Sequence, residues 1–304
     1  MSCTNPICLV ITKDPDTGLC NQRVIKYGGE TMDKLRQVYC SSPDDKVVLV
    51  PCGKCQGCQE SKSRQWSLRL QAEMKVPVIE GCKEYFTTLT YDDDHIPADH
   101  SVNKDFFSGW MKRLRARLDY LGKYQVRFFA SGEYGTHTLR PHYHVVFFTD
   151  CPKELLLDTI QKSWQLGFVQ FSSISDSKAL AYTAGYCAKK IGFKPPKGLA
   201  KEFILMSRKP GLGALLKPHK DGSIYLADGK VTKAPLYLLK RYGLADSEDL
   251  PKVVEDFWQD FERGVIAGSS ETWLEYCEKK TFEKSESIKK KSYNKNHNPS
   301  KRGL

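Results

Sequence analysis

The segment Pro141-His142-Tyr143-His144 runs into Val145-Val146-Phe147-Phe148, which places two imidazoles at alternate positions of an apolar run. Side chains on a strand alternate between faces, so His142 and His144 point one way and Tyr143 points into the opposite layer. Two imidazoles on one sheet face supply two ligands of a divalent-metal site. Glu133 sits at the end of the preceding strand and can close a triad if the two strands pair antiparallel. A solvated turn residue is the other reading of Glu133, and His137, in the connecting loop, is a weaker third ligand. A nitrogen and oxygen donor set of this kind suits Mn²⁺ or Mg²⁺ better than zinc.

Downstream, Tyr182 and Tyr186 lie one turn apart on a predicted helix, with Lys189 three places beyond Tyr186 and Gly185 at the same offset from Tyr182. A phenol is a poor nucleophile near its ordinary pKa of ~10. It attacks a phosphodiester only when the phosphate is polarised and a nearby cation offsets the emerging charge. Metal ligands followed by this helix are the parts for such an attack, although core packing is the commoner role of an isolated tyrosine pair.

Cys52, Cys55 and Cys58 form a third group. Three thiolates at this spacing can reach one zinc ion, with a fourth ligand to come from Cys3, Cys8, Cys20, Cys40 or Cys82. Free, reduced cysteines in a tight turn remain the alternative. The 11 cysteines are an odd number, the N-terminus carries no basic leader, and no apolar run is long enough to span a bilayer. A reducing cytosol is therefore expected, where clustered cysteines favour metal over disulfide.

The elements that must position these groups follow from periodicity. A helix is expected over residues 60–75, from Trp66, Leu70 and Met74, and strands over 84–91, 125–131, 143–149 and 168–171. A second helix over 103–121 buries Phe106, Phe107, Trp110, Met111, Leu114 and Leu118. Leu155, Leu156, Ile160 and Trp164 mark a third, and Ser175-Asp176 caps the tyrosine helix. The order strand–helix–strand–strand–helix–strand–helix is α+β, an antiparallel sheet flanked by helices. Four segments result: a cysteine-rich, loop-rich N-terminal part with its helix (1–81), a catalytic core (82–195), a C-terminal extension (196–278) and a disordered basic tail (279–304).

A net charge of +11 favours an anionic polymer as partner. Lys112, Arg113, Arg115 and Arg117, with Lys62, Arg64 and Arg69, are candidate phosphate contacts, and Tyr91 and Tyr134 are candidate base-stacking residues. A solvated helix face is the commoner reading of each such charge.

Phe86-Thr-Thr-Leu-Thr-Tyr91, Pro141-His-Tyr-His144 and Tyr182-x-x-x-Tyr186-x-x-Lys189 occur in that order. Together they resemble the three motifs of the HUH endonucleases that initiate rolling-circle replication. The chain is most similar to the initiators of single-stranded DNA phages of the Microviridae, gokushovirus branch, which it further resembles in Pro51–Cys58, Arg64-Gln-Trp66 and Met206–Gly211.

The resemblance implies a five-stranded antiparallel sheet holding Mn²⁺ or Mg²⁺ through His142, His144 and Glu133. It implies nicking of origin single-stranded DNA by Tyr186, a 5′-phosphotyrosine, and a 3′-OH for a host polymerase. Tyr182 would act in strand transfer, and Arg208 and Lys209 would bind phosphate. The setting would be bacterial cytoplasm with no membrane partner. No Gly-x-x-x-x-Gly-Lys-Ser/Thr run is present, so helicase action is expected in trans. Two other readings stay open: a non-enzymatic, cysteine-rich DNA-binding protein, and a metallohydrolase whose histidines activate water.

Overall fold

The computed structural model of the chain describes residues 3, 6–14, 16–28, 30, 32–135, 137–176, 179–180 and 198–244. Contacts divide the chain into two units, residues 1–58 with 247–304, and residues 59–246. The tyrosine helix from Tyr182 onward, with Tyr186 and Lys189, and the segment 245–304 lie outside the described residues.

In the first unit, β1 (Ile7–Lys13), β2 (Cys20–Lys26) and β3 (Lys46–Val50) form an antiparallel sheet in the order β2-β1-β3, with α1 (Met32–Tyr39) between β2 and β3 in sequence. Cys8 and Val10 turn inward at alternate positions and meet Val47, Leu49, Leu35 and Tyr27. The Asp45 carboxylate accepts from the backbone N–H groups of Lys13, Ser41 and Ser42 at 3.1, 2.8 and 3.0 Å, fixing the entry to β3. The expected loop-rich segment thus contains a sheet. Its inward face is narrow and uses a cysteine as an apolar residue, which hides the alternation.

The second unit is built on a five-stranded antiparallel sheet, order β7-β4-β6-β5-β8. Its strands are β4 (Lys83–Thr90), β5 (Val126–Tyr134), β6 (Pro141–Thr149), β7 (Val169–Ser173) and β8 (Phe203–Met206), the last arriving from beyond residue 195. α3 (Lys104–Gly122) and α4 (Lys153–Trp164) cover one face. There Tyr143, Val145, Phe147, Phe128 and Leu89 pack on Phe107, Trp110, Leu114, Leu156 and Trp164. The Asn103 side chain caps α3 by accepting from the Phe106 N–H, as its position before the apolar stripe predicts.

The other face carries Phe129, Val146 and Phe148, which meet Trp66, Leu70 and Met74 of α2 (Gln56–Lys75) together with Leu212. α2 starts four residues before the expected Glu60. The small pair β9 (Ser223–Tyr225) and β10 (Val231–Lys233), with α5 (Leu236–Arg241), packs on the far side of α2 through Leu68 and Ala72.

A buried ion pair joins these layers. Arg127 of β5 donates to both carboxylate oxygens of Glu73, at 2.6 and 3.3 Å, and the Gly213 N–H donates to Glu73 Oε2 at 2.6 Å. Their side chains are 8 and 1 % exposed. Gly213 has φ +74°, and a Cβ there would stand 2.5 Å from the Arg69 carbonyl oxygen, so only glycine brings its N–H this close. Removing one partner strands a buried charge. Glu73→Ala is expected to cost about 3–5 kcal/mol in denaturant unfolding; a loss under about 1 kcal/mol would mean that water reaches Arg127.

Candidate functional site

β6 is the middle strand of the five, and its pairing assembles the site. Glu133 of β5 stands opposite His142 and Ser131 opposite His144, while Thr90 and Thr88 of β4 oppose the same histidines from the other side. One ligand atom from each of Glu133, His142 and His144 lies within 4.8 Å of the others. The sequence expectation of a triad closed by antiparallel pairing is thus met in position.

Backbone and hydroxyl groups orient these ligands. His142 Nδ1 lies 3.1 Å from the Arg140 carbonyl oxygen, which only accepts, so Nδ1 carries the proton. His144 Nδ1 lies 3.0 Å from Thr88 Oγ1, and Phe86 stacks on the ring at 5.4 Å. With Nδ1 engaged, Nε2 is the nitrogen that each ring can present to an ion. Ser131 Oγ donates to Glu133 Oε1 at 2.6 Å. Glu133 is 3 % exposed, and a carboxylate so withdrawn from water gains from a cation beside it. The loop that supplies the Arg140 carbonyl is held by an Arg140–Asp93 ion pair. One carboxylate and two imidazoles fit a hard divalent cation. Thr88, Ser131 and the Arg140 carbonyl were missed in the sequence because a cross-strand partner is visible only once the register is known.

Asp176 leads toward the tyrosines: its carboxylate accepts from the Ala179 N–H at 2.8 Å, the N-cap expected there. Tyr182, Tyr186 and Lys189 are outside the described residues.

The second group lies in the first unit. Cys3, Cys52, Cys55 and Cys58 bring their sulfurs within 4.8 Å of one another, which selects Cys3 from the five candidates for the fourth ligand. Cys3 and Cys55 sulfurs are 3.8 Å apart, and those of Cys52 and Cys58 are 4.0 Å apart. A tetrahedral ion with metal–sulfur bonds near 2.3 Å requires about 3.8 Å. Backbone N–H groups of Lys54 and Cys55 point at Cys52 Sγ, at 3.4 and 3.3 Å, around the left-handed Gly53. Burial pushes the Cys58 thiol up to about 11, so at neutral pH it ionises only with a cation beside it. Cys8, Cys20, Cys40 and Cys82 are free thiols outside this group.

The proposed DNA contacts scatter. Lys112, Arg113 and Arg117 are exposed on α3, which covers the sheet face opposite to the histidines. Arg115 is tied down by the Val126 carbonyl and Ser207 Oγ, at 3.1 and 2.9 Å. Arg69 lies between the Trp66 and Tyr237 rings and donates to the Leu212 carbonyl. Lys62 and Arg64 are exposed, and Arg64 reaches Thr232 Oγ1 at 3.4 Å. Arg208 and Lys209 are exposed beyond the end of β8 that pairs with Phe129, away from His142. Tyr91 and Tyr134 correct the expectation of base stacking. Each is 4 % exposed, with Tyr91 Oη bonded to Tyr143 Oη and Tyr134 Oη to the Ala200 carbonyl. Parity explains this, since both directly follow residues on the histidine face, Thr90 and Glu133.

No helix among the described residues is long and apolar enough to cross a membrane. Residues 84–191 match the family model described as replication-associated protein ORF2. The chain is 30% identical over 218 residues to replication-associated protein ORF2 of Spiroplasma virus 4, covering 63% of this chain and 67% of that protein. It is 32% identical over 174 residues to replication-associated protein VP4 of Bdellovibrio phage phiMH2K, 51% of this chain and 53% of that one. Replication-associated protein ORF4 of Chlamydia phage 1 is 30% identical over 158 residues, 46% and 38% of the two chains. No solved structure matches.

Groups that orient metal ligands typically contribute about 10–100-fold to metal affinity. Thr88→Val is expected to weaken Mn²⁺ binding, measured by titration calorimetry, by at least about ten-fold with the fold intact. Unchanged affinity would show that His144 is oriented without Thr88.

Proposed function

Because the chain belongs to the replication-associated protein ORF2 family of gokushovirus-like Microviridae, we propose that it starts rolling-circle replication by nicking and rejoining one DNA strand at the phage origin. The observation that carries this is the Glu133–His142–His144 group, within a family match that extends over Tyr182, Tyr186 and Lys189.

Mn²⁺ or Mg²⁺, held by these three side chains, would polarise the scissile phosphate and offset charge on the leaving oxygen. Tyr186 Oη loses its proton and bonds to phosphorus as the bond to the 3′ oxygen breaks. That oxygen takes a proton, leaving a 5′-phosphotyrosine and a free 3′-OH. Lys189, one helical turn on, offsets the phenolate charge. Tyr182 serves as acceptor in the second transfer, so that one tyrosine holds an end while the other cuts. Host polymerase extends the 3′-OH, and a host helicase acts in trans in the bacterial cytoplasm. Arg64, Arg208 and Lys209, all exposed, are available to phosphates.

The four-cysteine group takes zinc in a structural role, since four thiolates leave no position open for substrate. It ties Cys3 to the turn before α2, independently of catalysis.

Single-stranded fragments of the phage genome, mixed with protein and Mn²⁺, should yield an adduct that survives denaturation. Tyr186→Phe is expected to abolish first-round adduct and His144→Ala all of it. Turnover without adduct that persists in both tyrosine variants would instead mark a hydrolase using water. Elemental analysis should find one zinc per chain, lost in Cys55→Ser and kept in Cys20→Ser. Equal zinc in wild type and Cys55→Ser would end the zinc assignment.

A further inference from the structure

Phe168 is a large apolar side chain left 72 % exposed, on a backbone that is unusually well fixed. Its N–H and C=O both bond to Thr90, at 3.1 and 3.0 Å, and the Asp92 N–H donates to the Leu166 carbonyl at 2.9 Å. Trp164 Nε1 also donates to the Thr90 carbonyl, at 3.0 Å. Gly167 before it has φ +145°, and a Cβ there would stand 2.4 Å from the Asp92 nitrogen and the Thr90 oxygen. The connection from α4 into β7 is thus pressed against the end of β4 with no room for adjustment.

Register gives the direction of the ring. Phe168 pairs with Thr90, Thr90 with His142, and His142 with Glu133. Cross-strand partners share a face, so Phe168 stands on the metal face, two strands from His142. At ~4.8 Å per strand that is about 10 Å. Gln170 alternates with it on the same face and is exposed, while Val169 and Phe171 turn the other way and pack into the α3–α4 core. Isolated exposed apolar residues are common and need no explanation. This one combines a pinned backbone, a hydrogen-bonding amide beside it and a place on the metal face.

We propose that Phe168 is a stacking platform for a base of the single strand within about three nucleotides of the scissile phosphate, with Gln170 beside it as a polar contact. The inference rests on the nicking reading above, because that reading puts single-stranded DNA on this face. An uncharged aromatic ridge suits a base rather than a phosphate, and every base offers a π-face. Holding the ring in place beforehand lowers the ordering cost of binding. With Tyr91 and Tyr134 buried, Phe168 takes the role that the sequence assigned to them.

The test compares Phe168→Leu and Phe168→Trp with the wild-type full chain. Affinity for oligothymidylate carrying one fluorescent purine analogue is measured without added Mn²⁺ or Mg²⁺; adduct formation on phage single strands is measured with Mn²⁺. Phe168→Leu is expected to bind about ten-fold or more weakly and to lose quenching of the analogue. Phe168→Trp should keep both, and adduct yield of the Leu variant should recover at saturating DNA. A wild type that forms adduct, with Phe168→Leu binding and quenching as it does, overturns this inference alone. A wild type that neither binds nor cleaves single strands overturns the nicking reading and this inference with it. Loss of capture of another protein, with DNA binding unchanged, also overturns the inference and identifies the ridge as a protein contact.

Discussion

The pairing of β5 with β6 is the constraint on which the rest of the second unit depends. A slip of one residue would turn His142 and His144 into the α3–α4 layer and bring Tyr143 out. Both faces guard against it. Tyr143 and Phe147 are fully buried on one side, Val146 and Phe148 on the other, and each would meet the wrong neighbours after a slip. The Glu73–Arg127 pair holds β5 to α2 and to Gly213, so the strand that brings Glu133 is fixed lengthwise as well. The metal site therefore needs no loop to order it; it is a by-product of strand register.

Glu133 shows the cost and use of this arrangement. A buried carboxylate is held by Ser131 and faces two imidazoles, which is unfavourable for stability unless a cation joins them. The two candidate metal sites differ in kind. The sulfur group is closed on itself by four ligands, whereas the triad leaves coordination positions for phosphate oxygen. One suits architecture and the other chemistry.

Those parts of the fold governed by local rules were legible in the sequence. Alternation alone put His142 and His144 together, and α3 was readable from its apolar stripe and Asn103 cap. Glu133 required only the assumption of an antiparallel hairpin. Partners distant in sequence were not legible: Thr88 beside His144, Cys3 beside Cys55, and β8 on the edge of β5. Each depends on long-range pairing that leaves no trace in spacing. The sheet of the first unit was hidden for a different reason, since its inward residues are few and one of them is a cysteine. Tyr91 and Tyr134 were misplaced although parity alone would have buried them.

The position of the histidines on the middle strand also bears on how the protein fails. Local opening begins at edges, termini and loops, while central strands come apart only with the whole domain. β6 is flanked on both sides by strands that are themselves packed above and below. Fraying of β7 or β8 would leave His142, His144 and Glu133 together, so loss of the triad and melting of the domain are one event.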